Sequence, residues 1–221
     1  HKKPSGFASP PCSAHEIDTA YFGASAVDPQ QALDVSRWRK SERERLIKAR
    51  QEETQDARLV IAQEIAAHLN DIVTPAKGHI ISLYWPFRAE IDLRLWMASA
   101  FEMGARIALP VVETKNKPLQ FREWKPHTPM ERGVWNIMQP ANHATITPNV
   151  VIAPLVGFDP NCYRLGYGGG FFDRTLEGMN NRPLIIGVGS KCAAIPTIFP
   201  QPHDIPMDVI ITGKENVFKR E

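Results

Sequence analysis

The sequence predicts an α/β fold of three layers, with a mostly parallel sheet and helices on both faces. Three observations predict it. Short runs rich in branched apolar residues recur after residue 78. Segments with helical spacing separate several of these runs. The runs are apolar throughout rather than alternating, as strands buried on both faces require.

The first helical pattern runs from Ser36 to about Asn70. Ser36 is a plausible N-cap, Ser41 and Glu44 stand at capping-box spacing, and Thr54 is placed to cap a second helix. Leu46 and Ile47, then Leu59, Val60, Ile61, Ile65 and Leu69, fall at helical intervals. The period changes after Pro75 and Gly78. Strands are expected at 79–85, 106–112, 150–156, 184–189 and 208–212, and a half-exposed alternating one at 119–124. Asp92 to Met103 reads as a helix closed by Gly104. Nineteen prolines argue for many reversals rather than a helical bundle. Residues 1–36 read as a largely irregular arm, and 37–221 as a single α/β domain.

With 221 residues, 43% hydrophobic and 23% charged, the chain is an ordinary globular protein rather than a disordered one. Cys12, Cys162 and Cys192 form no CxxC pair, which speaks against a disulfide framework or a zinc ribbon. A reduced, cytoplasmic compartment is the default. No run of 18 apolar residues predicts a membrane span. The start, His1-Lys2-Lys3-Pro4, reads as a trimmed tail rather than a signal peptide.

The net charge of +2 is too small to announce a nucleic-acid binder. It hides an asymmetry. Segment 37–50 holds seven basic residues against Glu42 and Glu44, so its +5 is set against −3 elsewhere. Arg39, Arg43 and Arg50 share one helix face. That face is either an anion contact or simply solvated.

The stretch Arg164-Leu165-Gly166-Tyr167-Gly168-Gly169-Gly170-Phe171-Phe172-Asp173-Arg174 is the richest in chemistry. Glycines let backbone approach a ligand closely, and successive N–H groups ahead of a helix cradle an anion. Arg164 and Arg174 add charge-assisted bonds to phosphate. Asp173 is placed to hold Mg²⁺ on it. No Gly-Lys-Ser/Thr follows, so this is not a P-loop. The alternative is a flexible glycine loop.

Three further segments are candidates. Tyr84 to Asp92 follows a strand, and an acid there can bind ring nitrogens of a heterocycle beside the Trp85 wall. Otherwise Asp92 caps the next helix and Glu90 faces solvent. Trp135, in the loop 133–140, either covers a planar ligand or packs on the domain. His203-Asp204 is a metal or proton-transfer pair, or a loop hydrogen bond. Cys12, His15 and Glu16 are metal-ligand types, but no fourth ligand of matching spacing is visible, so a chance cluster is preferred.

Taken in order, these elements resemble the 5-formyltetrahydrofolate cyclo-ligase family, from about Arg37 to Thr212. The glycine loop after Phe158-Asp159-Pro160 is the most specific match. Trp85-Pro86 with Glu90 and Asp92, Ala108-Leu109-Pro110-Val111, and His203-Asp204-Ile205-Pro206 stand in register with it. The resemblance implies a fold of the NagB/RpiA/CoA-transferase-like type. It also implies an ATP- and Mg²⁺-dependent ligase that closes 5-formyltetrahydrofolate to 5,10-methenyltetrahydrofolate and releases ADP and phosphate. By position, Arg39, Arg43 and Arg164, Leu165, Gly166, Tyr167, Gly168, Gly169, Gly170, Phe171 and Phe172 would bind ATP. Asp173 and Asp204 would hold Mg²⁺. Trp85, Glu90, Trp135 and Tyr167 would meet the folate, with Arg164, Tyr167 and Asp173 at the reaction centre.

The sequence departs from the family pattern in places. Arg39 stands for a usual Lys, Gln139 for Glu, Phe172 for Tyr, Cys162 for Gly and Ala193 for Gln. Those changes keep open a paralogue that uses the same ATP-Mg²⁺ site on another substrate, and a non-catalytic binding module. ATP and a reduced folate are the expected partners, without nucleic acid or membrane, in a monomer or weak dimer.

Overall fold

The computed structural model describes residues 29–220, so Cys12, His15 and Glu16 lie outside the described residues. Helix α1 spans Pro29–Glu52. It therefore starts within the segment expected to be irregular. Proline suits a first helical turn, where its missing N–H costs nothing, and Gln30, Gln31, Ala32 and Leu33 continue it readily. Ser36 and Ser41 are consequently interior residues, not caps. Thr54 does cap α2, Gln55–Val73: its Oγ1 accepts from Ala57 N at 3.2 Å.

The sheet elements follow: β1 Ile80–Ser82, α3 Arg94–Glu102, β2 Arg106–Val111, β3 Gln120–Trp124, β4 Met130–Arg132, β5 Met138–Pro140, β6 Val150–Pro154, β7 Gly157–Phe158, β8 Arg164–Leu165, α4 Phe171–Glu177, β9 Leu184–Val188, β10 Val209–Ile211 and β11 Val217–Lys219. Seven strands form one sheet in the order β11-β10-β9-β6-β1-β2-β3. The inner neighbours run parallel, with Ile81 opposite both Ile107 and Val150, and Ile152 opposite Ile186. The two edge strands, β3 and β11, are antiparallel additions.

Alternation along the strands divides the core. Ile81, Ile107, Leu109, Ile152, Ile186 and Ile211 face α2 and α3, where Ile65, Leu69, Trp96 and Met97 pack. Val151, Ile185 and Ile210 point the other way, toward Phe158, Cys162 and Leu176 of α4. The β7–β8 hairpin covers this second face. Helix α1 lies on the hairpin through Leu46, which meets Val156, Leu165, Ile195 and Ile198.

The topology fixes where a ligand goes. The chain leaves β1 for β2 on one side and later enters β6 on β1's other side. The loops that follow β1 and β6 therefore diverge and open a crevice at the carboxyl ends of the strands. Every candidate segment borders it.

Candidate functional site

A single cleft is lined by Arg39 and Arg43 of α1, Tyr84 to Glu90 after β1, Trp135 to Gln139, the whole run 164–174, and His203 with Asp204. The structure thus brings together every residue that the family resemblance assigns to the nucleotide, the metal or the folate, while Asp92 stays outside the cleft lining. It also sorts them into two halves.

The first half is positively charged. Arg43 donates from Nε to Gly166 O at 2.7 Å, and its terminal nitrogens have no hydrogen-bond partner among the described residues. Burial and the neighbouring Arg39 push it down to about 10, with Arg164 adding to the effect and Asp204 opposing it. Gly168, at φ +100°, has the left-handed backbone that the loop needs, and a Cβ there would press on the Arg43 guanidinium at 3.4 Å. Arg164 is buried, donates to Pro154 O at 3.2 Å and to Asp173 Oδ2 at 3.4 Å, and lies over the Phe172 ring at 4.9 Å. Its Nε is buried with no partner. Helix α4 has only seven residues, so the charge of this half comes from the arginines rather than from a helix dipole.

Arg39 is arranged differently from Arg43. Its Nε donates to Ile198 O at 2.9 Å and its Nη2 to Phe199 O at 2.9 Å. Both terminal nitrogens also hold Asp204, Nη1 at 3.2 Å. Asp204 accepts from Gln201 N at 2.6 Å as well. The residues expected at ATP and at the metal are thus first of all each other's partners. His203 Nε2 lies 3.9 Å from Asp204.

Among the described residues, no group of three His, Cys, Asp or Glu side chains is placed to hold a metal. Asp173 still fits a single Mg²⁺ contact. Its Oδ1 accepts from Ile205 N at 3.2 Å and its Oδ2 only the 3.4 Å bond from Arg164, which leaves lone pairs unused. Mg²⁺ takes one or two carboxylates and completes its shell with phosphates and water.

The second half is apolar around one acid. Glu90 is buried, against the alternative that it faces solvent. The chain reaches it through Arg88 and Ala89, both left-handed at φ 47° and 59°. Glu90 N donates to Phe87 O at 3.0 Å, and Phe87 N returns to Glu90 Oε2 at 2.9 Å. Burial raises this carboxyl to about 7. Tyr167 Oη donates to Glu90 Oε1 at 2.9 Å and receives Arg50 Nη2 at 2.6 Å. Burial also raises the Tyr167 hydroxyl, so it stays a phenol.

Trp85 packs on the core beneath the Arg94 guanidinium, 5.0 Å above its ring. Asp92 accepts from Arg94 N at 3.0 Å and pairs with the Arg94 guanidinium, although the N-cap position of α3 is Leu93. Trp135 sits at φ 54° between β4 and β5, with its ring 5.6 Å from Phe171 and edge-on. Gln139 bonds Glu131 Oε1 at 2.9 Å.

Sequence reasoning missed two supports. Arg122 is buried on β3 and anchors the β4–β5 hairpin, donating to Pro140 O at 2.9 Å and to Glu131 at 3.2 Å. Arg50 was legible only as a third cation on the α1 face. Its burial at 4% exposure separates it from Arg43.

Comparison with known proteins identifies the family and the fold. The sequence model of the 5-formyltetrahydrofolate cyclo-ligase family matches residues 35–213. A 5-formyltetrahydrofolate cyclo-ligase of Haemophilus influenzae is 30% identical over 158 residues, covering 68% of this chain and 84% of the relative. One of Escherichia coli is 26% identical over 159 residues, covering 69% and 87%. The solved 5,10-methenyltetrahydrofolate synthetase of Aquifex aeolicus superposes with a TM-score of 0.69 at 24% identity, covering 82% of this chain and 92% of that one. That of Mycoplasma pneumoniae gives 0.64 at 21%, covering 80% and 99%. At such identities the two structures speak for the fold.

Proposed function

The chain belongs to the 5-formyltetrahydrofolate cyclo-ligase family, and on that premise we propose that it closes 5-formyltetrahydrofolate to 5,10-methenyltetrahydrofolate with ATP and Mg²⁺, releasing ADP and phosphate. In this reading the formyl oxygen takes the γ-phosphoryl group, and N10 then displaces phosphate as the ring closes. Such chemistry asks a protein for positioning and charge neutralisation.

The observation that carries the reading is Arg43. A guanidinium pushed down to about 10 beside two other arginines is relieved by a polyanion. Its free donors face the run 166–170, whose backbone supplies more N–H groups. Arg43 and Arg164 would bind phosphate oxygens, and Leu165 to Phe172 would wrap the nucleotide. Arg39 supports this from behind by holding Asp204 and the 198–199 carbonyls. Mg²⁺, when bound by Asp173 and the phosphates, neutralises charge on the transferring group. Asp204 joins it only alongside Arg39.

Glu90 receives N–H groups of the pterin, Trp85 walls that end, and Trp135 covers the folate from the hairpin. Tyr167 belongs to both halves. It sits in the glycine loop and bonds the pterin acid.

The test is direct. With ATP, Mg²⁺ and 5-formyltetrahydrofolate, the absorbance of the methenyl product should appear. Its absence at high enzyme concentration overturns the reading. ATP binding without formylfolate binding in calorimetry would instead favour a paralogue acting on another substrate.

A further inference from the structure

Three segments meet at one guanidinium. Arg50 Nε donates to Arg88 O at 3.1 Å, in the loop after β1. Its Nη1 donates to Leu155 O at 3.4 Å, after β6. Its Nη2 donates to Tyr167 Oη at 2.6 Å, in the glycine loop. The hydroxyl passes its own proton to Glu90 Oε1 at 2.9 Å.

The direction of this chain is forced. A guanidinium has donors only, so Tyr167 must accept from it. The single phenol proton is then left for Glu90. Phe87 N fills the other oxygen, so Glu90 is an acceptor on both. Reversal would leave the Tyr167 proton facing a group that cannot accept it.

We infer that Arg50 is a positioning residue: through the Tyr167 hydroxyl it holds Glu90 as a two-oxygen acceptor in the folate half of the cleft. The inference rests on the reading of Glu90 as the pterin contact. It extends that reading by naming what keeps a buried acid able to accept. The groups that face Glu90 are Arg50 from α1, Tyr167 from the glycine loop, Arg164 from β8, and Tyr84 from the loop after β1. Burial is the largest influence on Glu90, and Arg50 is the largest opposing it. Removing Arg50 therefore drives Glu90 toward the protonated, donating form. A pterin N–H then meets a partner that offers a proton instead of a lone pair.

The primary experiment needs no ligand. The Glu90 side-chain carboxyl is titrated by carbon-13 NMR in the whole chain, with its signal assigned by its loss in Glu90→Gln. In Arg50→Met the midpoint should rise by about one pH unit. It should rise less in Tyr167→Phe and in Arg50→Lys. The double variant should exceed Arg50→Met, since it loses the Tyr167 bond to Glu90 as well as the Arg50 charge. Should Arg50→Met fail to fold, Arg50→Lys and Tyr167→Phe carry the test. An unmoved midpoint in folded variants overturns the inference.

The second arm follows KM for 5-formyltetrahydrofolate against pH. Its acid limb should move with the NMR midpoint, and KM should change more than kcat. A limb that stays while the midpoint moves overturns the link to folate recognition. If the wild type turns over no formylfolate, the proposed function fails, while the titration still decides what Arg50 does to Glu90.

Discussion

The two halves of the cleft use charge in opposite ways. Near the glycine loop, burial first, and then the neighbouring Arg39 and Arg164, push Arg43 down to about 10. Near Trp85, a lone acid is buried until it rises to about 7. Burial makes each half electrostatically uncomfortable without a ligand, and the cationic half adds repulsion between like charges. Repulsion between like charges is cured by any polyanion. Desolvation of an acid is cured only by donors of the right geometry. The first half therefore selects by charge, and the second by hydrogen-bond pattern.

That contrast can be broken most forcefully at Asp173. Asp173→Ala should lower kcat by about two orders of magnitude or more, since it strips a charge-stabilising group from the phosphoryl end. Formylfolate binding should survive, which equilibrium titration can check. Arg43→Ala comes next. Losing its charge-assisted bonds should raise the KM for ATP about ten- to a hundredfold, with the KM for folate moving far less. Equal losses on both substrates would erase the division into halves.

Glu90 offers a stability test with a definite sign. Its folded carboxyl titrates near 7, above its ordinary 4.5. The folded state therefore holds the proton more tightly than the unfolded chain does. Its contribution to stability is complete below about pH 4.5 and is lost as pH rises through 7. Glu90→Gln should thus raise the free energy of urea unfolding at pH 8 by about 1–3 kcal/mol, while weakening folate binding. At pH 4 the gain should vanish. The smallest effect belongs to Trp135, which is 41% exposed. Trp135→Ala should leave stability within about 0.5 kcal/mol and raise the folate KM a few-fold. A stability loss much beyond that would show that Trp135 packs on the domain.

The sequence made the central sheet readable because its inner strands are uninterrupted branched runs. Val150–Pro154 and Leu184–Val188 fall within the expected spans. The three-residue strands Ile80–Ser82 and Val209–Ile211 lie inside such runs and were readable too, but the short pieces outside them were not. There, strands of two or three residues, such as Gly157–Phe158 and Met130–Arg132, carry too little periodicity, and cross-strand partners alone define them. In the site, residue types announced the glycine loop, but not how its neighbours divide their work. Arg39, Arg43 and Arg50 look alike along the helix. Whether a guanidinium meets carbonyls, an acid or open space depends on segments 38 to 165 residues away. Tyr167 was visible as a loop residue, yet its bond to Glu90 exists only because the fold brings the loop after β8 against the loop after β1, 77 residues away.

The clamp between Arg39 and Asp204 joins residues 165 apart in the chain. During synthesis the basic helix stays without its acidic counterweight until the 165 residues between them have been made. An incomplete chain therefore exposes a cationic helix face to whatever polyanions surround it, the ribosome's own RNA included. Closure of that long loop is what brings the acid to the helix, so the charged half of the cleft is complete only once Asp204 has joined it.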